Sequence, residues 1–293
     1  MGDLGGRRVL HRLSAKDGTE LFLREYEPSV RHPDPRTLLL VHGAFEHGEL
    51  YDHAGRFFAA RGWRTLIPDL RGHGVSGGTV MHVRRFAEYV ADLRSVLSYA
   101  DADPARTAIV GNSMGGLATA RLVQNADGGG PSPAAAAALC SPLLRIVTPV
   151  PPLVLVAGKV CRLVRPRTRF AVPANPDDPI AAARPDDPLR HDSVTAAWFF
   201  AVRRAVKAVW KDAAKMSTPL HVMQSGADRV VCPVAPGRWI NRVGSEERSC
   251  ELLPGADHEV FQEADWRRHA ERLSRWFDGH VPVRVRSTAR RAA

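Results

Sequence analysis

The hexapeptide Gly111-Asn112-Ser113-Met114-Gly115-Gly116 sets a serine between glycines two residues to either side. The apolar run 107–111 before it reads as a strand, and residues 114–124 after it have helical spacing. A serine on such a strand-to-helix turn is a nucleophile elbow, G-x-S-x-G. Its glycines permit the tight turn, and its hydroxyl stands at the positive end of a helix, where developing negative charge is favoured. A serine attacks a carbonyl only when a base takes its proton, so this reading requires a histidine and an orienting acid later in the chain. His258, in Pro254-Gly255-Ala256-Asp257-His258-Glu259, is the candidate base. Asp228, in Ser225-Gly226-Ala227-Asp228-Arg229-Val230-Val231, is the candidate acid. Each lies just past a predicted strand, at the end where open α/β sheets place their sites. Asp257 is the rival acid, but sequence neighbours on an extended loop point apart.

The tetrahedral intermediate of such an attack also needs donors for its oxyanion. The backbone N–H groups of Met114, directly after the nucleophile, and of Ala44, after His42-Gly43, are the candidates. His42 itself reads as a structural loop residue. The other histidines show no HExxH pattern or ligand-like clustering, so neither a metal nor another cofactor is expected.

These residues need a scaffold, and the periodicity supplies one. Apolar runs at 21–26, 37–42, 63–68, 107–111, 134–140, 219–224 and 251–253 read as strands, most of them short and continuous as in a buried parallel sheet. Residues 54–61, 86–99, 114–124, 235–243 and 265–277 have helical spacing between them, with Gly62 and Gly128 as stop signals. Strands alternating with helices predict a doubly wound α/β sheet. The alternation breaks after Ser141-Pro142 and resumes near Thr218-Pro219. Residues 1–141 and 218–278 are therefore expected to form the core, 142–217 an inserted helical cap, and 279–293 a basic tail. Within the cap, 146–157 is apolar but shorter than the roughly 20 residues that span a bilayer, so it is expected to lie on a membrane rather than cross one. In 196–215, Trp198, Val202, Ala205, Val206 and Val209 share one helical face, suited to packing on the protein's own core.

The formal charge of +10 is concentrated. The cap carries 13 Lys/Arg against 6 Asp/Glu, the tail four Arg and no acid, and the rest of the 293 residues sum to −1. With no RNP, zinc-finger or heptad pattern, this distribution points to an anionic membrane surface and away from nucleic acid. The arginines in question are Arg162, Arg165, Arg167 and Arg169, with Asp177, Asp178, Asp186 and Asp187 as competing partners. A 44% hydrophobic share with 25% charged residues excludes wholesale disorder, collagen and a polytopic membrane protein. The four cysteines form no CxxC pair, which disfavours a zinc ribbon or a disulfide scaffold and fits a reducing cytoplasm. The N-terminal stretch has no apolar h-region, and Gly6 stands where a myristoylation signal wants Ser or Thr, so no export signal or lipid anchor is expected.

Together the motifs carry a resemblance. His42-Gly43-Ala44-Phe45-Glu46-His47, Pro68-Asp69-Leu70-Arg71-Gly72-His73-Gly74-Val75-Ser76, the elbow, and the Asp228 and His258 loops resemble the monoacylglycerol lipase and lysophospholipase-like branch of the α/β-hydrolase superfamily, the serine aminopeptidase S33-type hydrolases. The resemblance spans about residues 17–278. It implies an α/β-hydrolase fold, a Ser113–His258–Asp228 triad, an Ala44/Met114 oxyanion hole, substrate contacts at Phe45, Glu46 and His47, and an apolar cap that meets membranes and admits single-chain acyl esters. The expected activity is hydrolysis of carboxylic esters such as monoacylglycerols or lysophospholipids. An acyltransferase or peptidase on the same triad, and a non-catalytic lipid-binding protein, are the alternatives. Two positions depart from the lipase pattern: Asn112 stands where a histidine is usual, and Leu50-Tyr51 where an Arg-Tyr pair is usual. Ser113 excludes the relatives whose nucleophile is aspartate.

Overall fold

A computed structural model of the chain describes residues 6–30, 35–125, 130–147, 150–172 and 186–283. Its centre is an eight-stranded sheet in the order β1-β2-β4-β3-β5-β6-β9-β10. The strands are β1 (Arg8–Ser14), β2 (Glu20–Tyr26), β3 (Arg36–Val41), β4 (Trp63–Pro68), β5 (Thr107–Asn112), β6 (Ala136–Cys140), β9 (Leu220–Ser225) and β10 (Arg248–Leu253). Only the pairings β1–β2 and β2–β4 are antiparallel. From β4 to β10 every neighbour runs parallel, so the C-terminal ends of β3, β5, β9 and β10 share one edge of the sheet.

Every residue of β3, β5 and β6 is buried, which explains why these strands read as unbroken apolar runs: helices cover both faces. Alternate side chains feed two cores. Leu39, Val41 and Ile109 join Leu93 of α2 (Ala87–Tyr99) and Leu117 of α3 (Ser113–Val123) on one face. Leu38, Leu40 and Val110 join Phe58 of α1 (Asp52–Ala59) and Phe277 of α7 (Trp266–His280) on the other. The predicted strands and helices of the core are found within a few residues of their expected limits. Gly62, at φ +83, closes the turn after α1. Gly128 lies outside the described residues, as do 284–293 of the expected tail, while Gly279 and His280 complete α7.

Between β6 and β9 the described residues include two contrasting α-helices. The first, α4 (Pro152–Val164), buries only Gly158, against Phe200, and leaves Leu153, Val156, Val160, Leu163 and Val164 exposed. A two-stranded antiparallel ribbon, β7 (Arg169–Ala171) with β8 (Ser193–Thr195), precedes α5 (Ala196–Lys211). Thr195 caps α5 by accepting from the Trp198 N–H. Trp198, Val202, Ala205 and Val209 of α5 are buried in the core, and the Trp198 indole donates to the Tyr89 hydroxyl at 3.0 Å. Arg121 of α3 pairs with Asp212 at the end of α5, and Gln124 donates to the Val209 carbonyl. The apolar face of α5 therefore packs on the protein itself, and it is α4 that presents apolar surface to the outside. A final short helix, α6 (Ala235–Ile240), links β9 to β10.

Candidate active site

The elbow owes its shape to close packing of α3 under the sheet edge. A Cβ at Gly111 would lie 2.3 Å from the Gly115 carbonyl oxygen, and one at Gly115 would lie 2.2 Å from that of Val41. Any side chain at either place would push the helix off β3 and β5. Between them Ser113 takes φ +50, a left-handed conformation that disfavours every residue but glycine. The strain lifts its hydroxyl off the end of β5 and onto the N-terminus of α3.

Two loops bring it partners. His258 Nε2 lies 2.9 Å from Ser113 Oγ, and His258 Nδ1 lies 2.8 Å from Asp228 Oδ2. All three residues are buried or nearly so. With Nδ1–H donating to the carboxylate, Nε2 is the unprotonated nitrogen and accepts from the serine hydroxyl, the state a general base requires. Asp228 is itself over-determined. Its Oδ1 accepts from the Val230 and Val231 N–H groups at 2.9 Å each, and its Oδ2 also accepts from Gln224 Nε2 at 3.2 Å. Burial opposes its ionisation, but the His258 hydrogen bond and charge, aided by those two N–H groups, hold its pKa below the ordinary value. Asp257 has a different part: its Oδ1 accepts the backbone N–H of His258 at 2.7 Å.

The loop after β3 faces the serine from the other side. Gly43 is so close that a Cβ there would sit 3.2 Å from Ser113 Cβ. Glu46 folds under the loop, accepting from the Gly43 N–H at 2.6 Å and from the Tyr51 hydroxyl at 2.7 Å, while Phe45 turns the chain at φ +63. Among the described residues, neither the Ala44 nor the Met114 N–H donates to any other group. His42 is neutral and structural: its Nδ1–H donates to the Gly43 carbonyl, its Nε2 accepts the Leu70 N–H, and burial pushes its pKa down.

The serine aminopeptidase, S33, family model matches residues 33–265. The chain belongs to this family. One relative, the monoacylglycerol lipase of Mycolicibacterium smegmatis, is 30% identical over 284 residues, covering 94% of this chain and 98% of the relative. Phospholipase YtpA of Bacillus subtilis is 24% identical over 234 residues, 78% of this chain and 89% of the relative. Among solved structures, a soluble variant of monoglyceride lipase from Saccharomyces cerevisiae in complex with a substrate analogue superposes with a TM-score of 0.80. It is 16% identical, and the match covers 97% of this chain and 99% of that one. At that identity the likeness shows the fold, which is the α/β-hydrolase fold.

Three further features of this S33 family member bear on the site. The Asp69 carboxylate accepts from Arg24, the Gly48 N–H and the Val75 N–H at 2.7 to 2.9 Å, and Arg71 grips Asp92 through two 2.5 Å bonds, so the Pro68–Ser76 motif braces the loops behind the site. Of the residues expected to meet substrate, Phe45 stands half-buried with its ring 6.2 Å from that of Trp198. Glu46 and His47 are almost fully buried, Glu46 as above and His47 with Nε2 on Asp187 at 2.9 Å. Their observed contacts tie the loop to itself and to the segment between β6 and β9. The third feature is a contact that the sequence does not show: Asn112 Nδ2 donates to Glu259 Oε2 at 2.9 Å, immediately beside the serine and the histidine.

Proposed function

We propose that the protein is a serine hydrolase of carboxylic esters carrying one acyl chain, of the monoacylglycerol or lysophospholipid kind. The observation that carries this reading is the Asp228–His258–Ser113 chain of 2.8 and 2.9 Å hydrogen bonds, with the serine on a left-handed elbow. The relatives named monoacylglycerol lipase and phospholipase favour a lipid ester as substrate.

In this mechanism Ser113 Oγ attacks the ester carbonyl carbon while His258 Nε2 takes the hydroxyl proton. The carbonyl oxygen becomes an oxyanion that accepts from the Ala44 and Met114 N–H groups. Asp228 stabilises the imidazolium. Collapse breaks the bond to the alcohol oxygen, which leaves with the proton from Nε2, and an acyl-Ser113 ester remains. Water then attacks that ester with His258 as base, releasing the carboxylic acid and restoring the hydroxyl. A p-nitrophenyl ester chain-length series run beside a monoacylglycerol and a lysophospholipid tests the reading. Turnover of single-chain esters with covalent fluorophosphonate labelling of Ser113 is expected. Neither turnover nor labelling would leave a lipid-binding protein on a hydrolase fold, and faster capture of the acyl group by added alcohol or amine than by water would mark a transferase or peptidase.

The same reading makes α4 a membrane-docking lid. Thirteen residues of helix are about 20 Å long, well short of a bilayer core. No helix among the described residues is long and apolar enough to cross one. Exposed Leu153, Leu163 and Val164 can bury at an interface, while Arg165 and Arg167, exposed at the end of the helix, meet anionic headgroups at roughly 1 kcal/mol each. The other two arginines are differently employed. Arg169 donates to Ser193 and to the Val80 carbonyl, and Arg162 lies 5.9 Å over the Phe200 ring. Of the competing acids, Asp187 is held by His47, and Asp177 and Asp178 lie outside the described residues. Combining Arg165→Gln, Arg167→Gln and Leu163→Ser should lower co-sedimentation with anionic vesicles severalfold at low salt, and added salt should weaken wild-type binding. Equal pelleting of both proteins would leave α4 as a lid alone.

A further inference from the structure

The side chain of Asn112 is buried, and while its Nδ2 is engaged with Glu259, its Oδ1 has no hydrogen-bond partner. The other oxygen of Glu259, Oε1, lies 3.9 Å from His258 Nε2. Nε2 is the atom that hands its proton to the departing alcohol, so the alcohol oxygen must come within about 3 Å of it. That oxygen is then within about 7 Å of the Glu259 carboxylate, whatever the rest of the substrate does. The leaving-group side of the serine therefore carries the Glu259 carboxylate, whereas the oxyanion side presents N–H donors.

We propose that Glu259, held by Asn112, lines the leaving-group subsite and selects esters of neutral polyols or cationic alcohols over esters whose alcohol carries a phosphate. The inference rests on the proposed hydrolase reading and decides between the two substrate kinds that reading leaves together. A hydroxyl on the alcohol can donate to the Glu259 carboxylate, and a quaternary ammonium, which has no N–H, is drawn to it by charge alone. A phosphate three carbons from the ester oxygen enters the field of a fixed carboxylate at a distance where, in a partly desolvated site, one unit charge changes an equilibrium by about tenfold. Asn112 acts on this selection by holding Glu259 in place. The adjacent imidazole feels the same carboxylate with every ester, so that influence cancels when alcohols are compared under one acyl chain.

The test is a set of lauroyl esters kept below their aggregation limits: monolauroylglycerol, its 3-phosphate, lauroylcholine and p-nitrophenyl laurate. Wild-type kcat/KM, each normalised to the p-nitrophenyl ester, is expected to favour the glycerol and choline esters over the phosphate by about tenfold or more. Glu259→Gln keeps an oxygen for the Asn112 hydrogen bond and removes the charge. It should narrow that gap at least severalfold, whereas Glu259→Asp should preserve it. An unchanged ratio in Glu259→Gln, or a wild type that does not discriminate, overturns the subsite while leaving the hydrolase reading intact. No turnover of any of the four esters by the wild type overturns the hydrolase reading itself.

Discussion

Ser113→Ala is expected to lower kcat for a p-nitrophenyl ester by at least about ten-thousandfold while the thermal unfolding midpoint stays within a few degrees of wild type. The substitution removes the proposed nucleophilic atom, and no neighbouring side chain offers a replacement at the end of β5. Structurally it removes one hydroxyl whose hydrogen bond to His258 is worth on the order of 1 kcal/mol net. Ser113→Gly should be as inactive but more stable than Ser113→Ala by about 1 kcal/mol, because φ +50 strains alanine and not glycine. Calorimetry beside the kinetics checks both halves. Activity within tenfold of wild type in either variant would refute the nucleophile assignment.

Asp228→Asn should be nearly as damaging to kcat, by between a hundredfold and roughly ten-thousandfold, for a reason the donors around it make specific. Oδ1 receives two backbone N–H groups, so the asparagine must keep its oxygen there and turn its NH2 toward His258 Nδ1. Nδ1 then has to accept, its proton moves to Nε2, and the serine faces a donor where it needs a base. The amide also meets Gln224 Nε2 donor to donor, which adds a modest loss of stability. Asp257→Asn is the control: its amide oxygen can still accept the His258 backbone N–H, so turnover should stay within a few fold of wild type. If Asp257→Asn is the more harmful of the two, the acid has been misassigned.

Ser113 and Asp228 are legible as candidates in the sequence because each follows a strand, β5 or β9, that is almost wholly buried and therefore reads as an apolar run. The elements that escaped lack that signal. In β1, the side chains of Arg8, His11 and Arg12 are not buried, and the strand exists by pairing with β2 across the turn at Gly18, where φ is +83. β7 and β8 are three residues each, too short for a period. In α4 the prolines at 151 and 152 read as interruptions of an apolar stretch. Pro152 instead occupies the first turn, where its missing N–H and fixed φ do no harm, and the helix continues to Val164. The Asn112–Glu259 and His47–Asp187 contacts join residues 147 and 140 positions apart, and spacing does not say which loops meet. Arg169, counted toward an anionic surface, also donates from its exposed guanidinium to Ser193 of β8.

β6 and β9 are neighbours, Ala137 beside Leu220, although residues 141–219 separate them. Closing so long a loop is penalised only logarithmically, about 0.6 kcal/mol for each doubling of length. Lengthening or shortening it is thermodynamically mild, provided the parallel return to the start of β9 is kept. α5 makes that return, filling the core with Trp198, Val202 and Val209 on the way. Leu143 and Leu144 pack beneath the Ser113 elbow, Ile146 pairs with Val231 beside Asp228, and the Pro166 and Thr168 carbonyls accept from the start of α5, so the exchangeable part lies between Ile146 and Pro166. Descendants of this chain, natural or engineered, can exchange that part without disturbing the sheet that holds Ser113, Asp228 and His258.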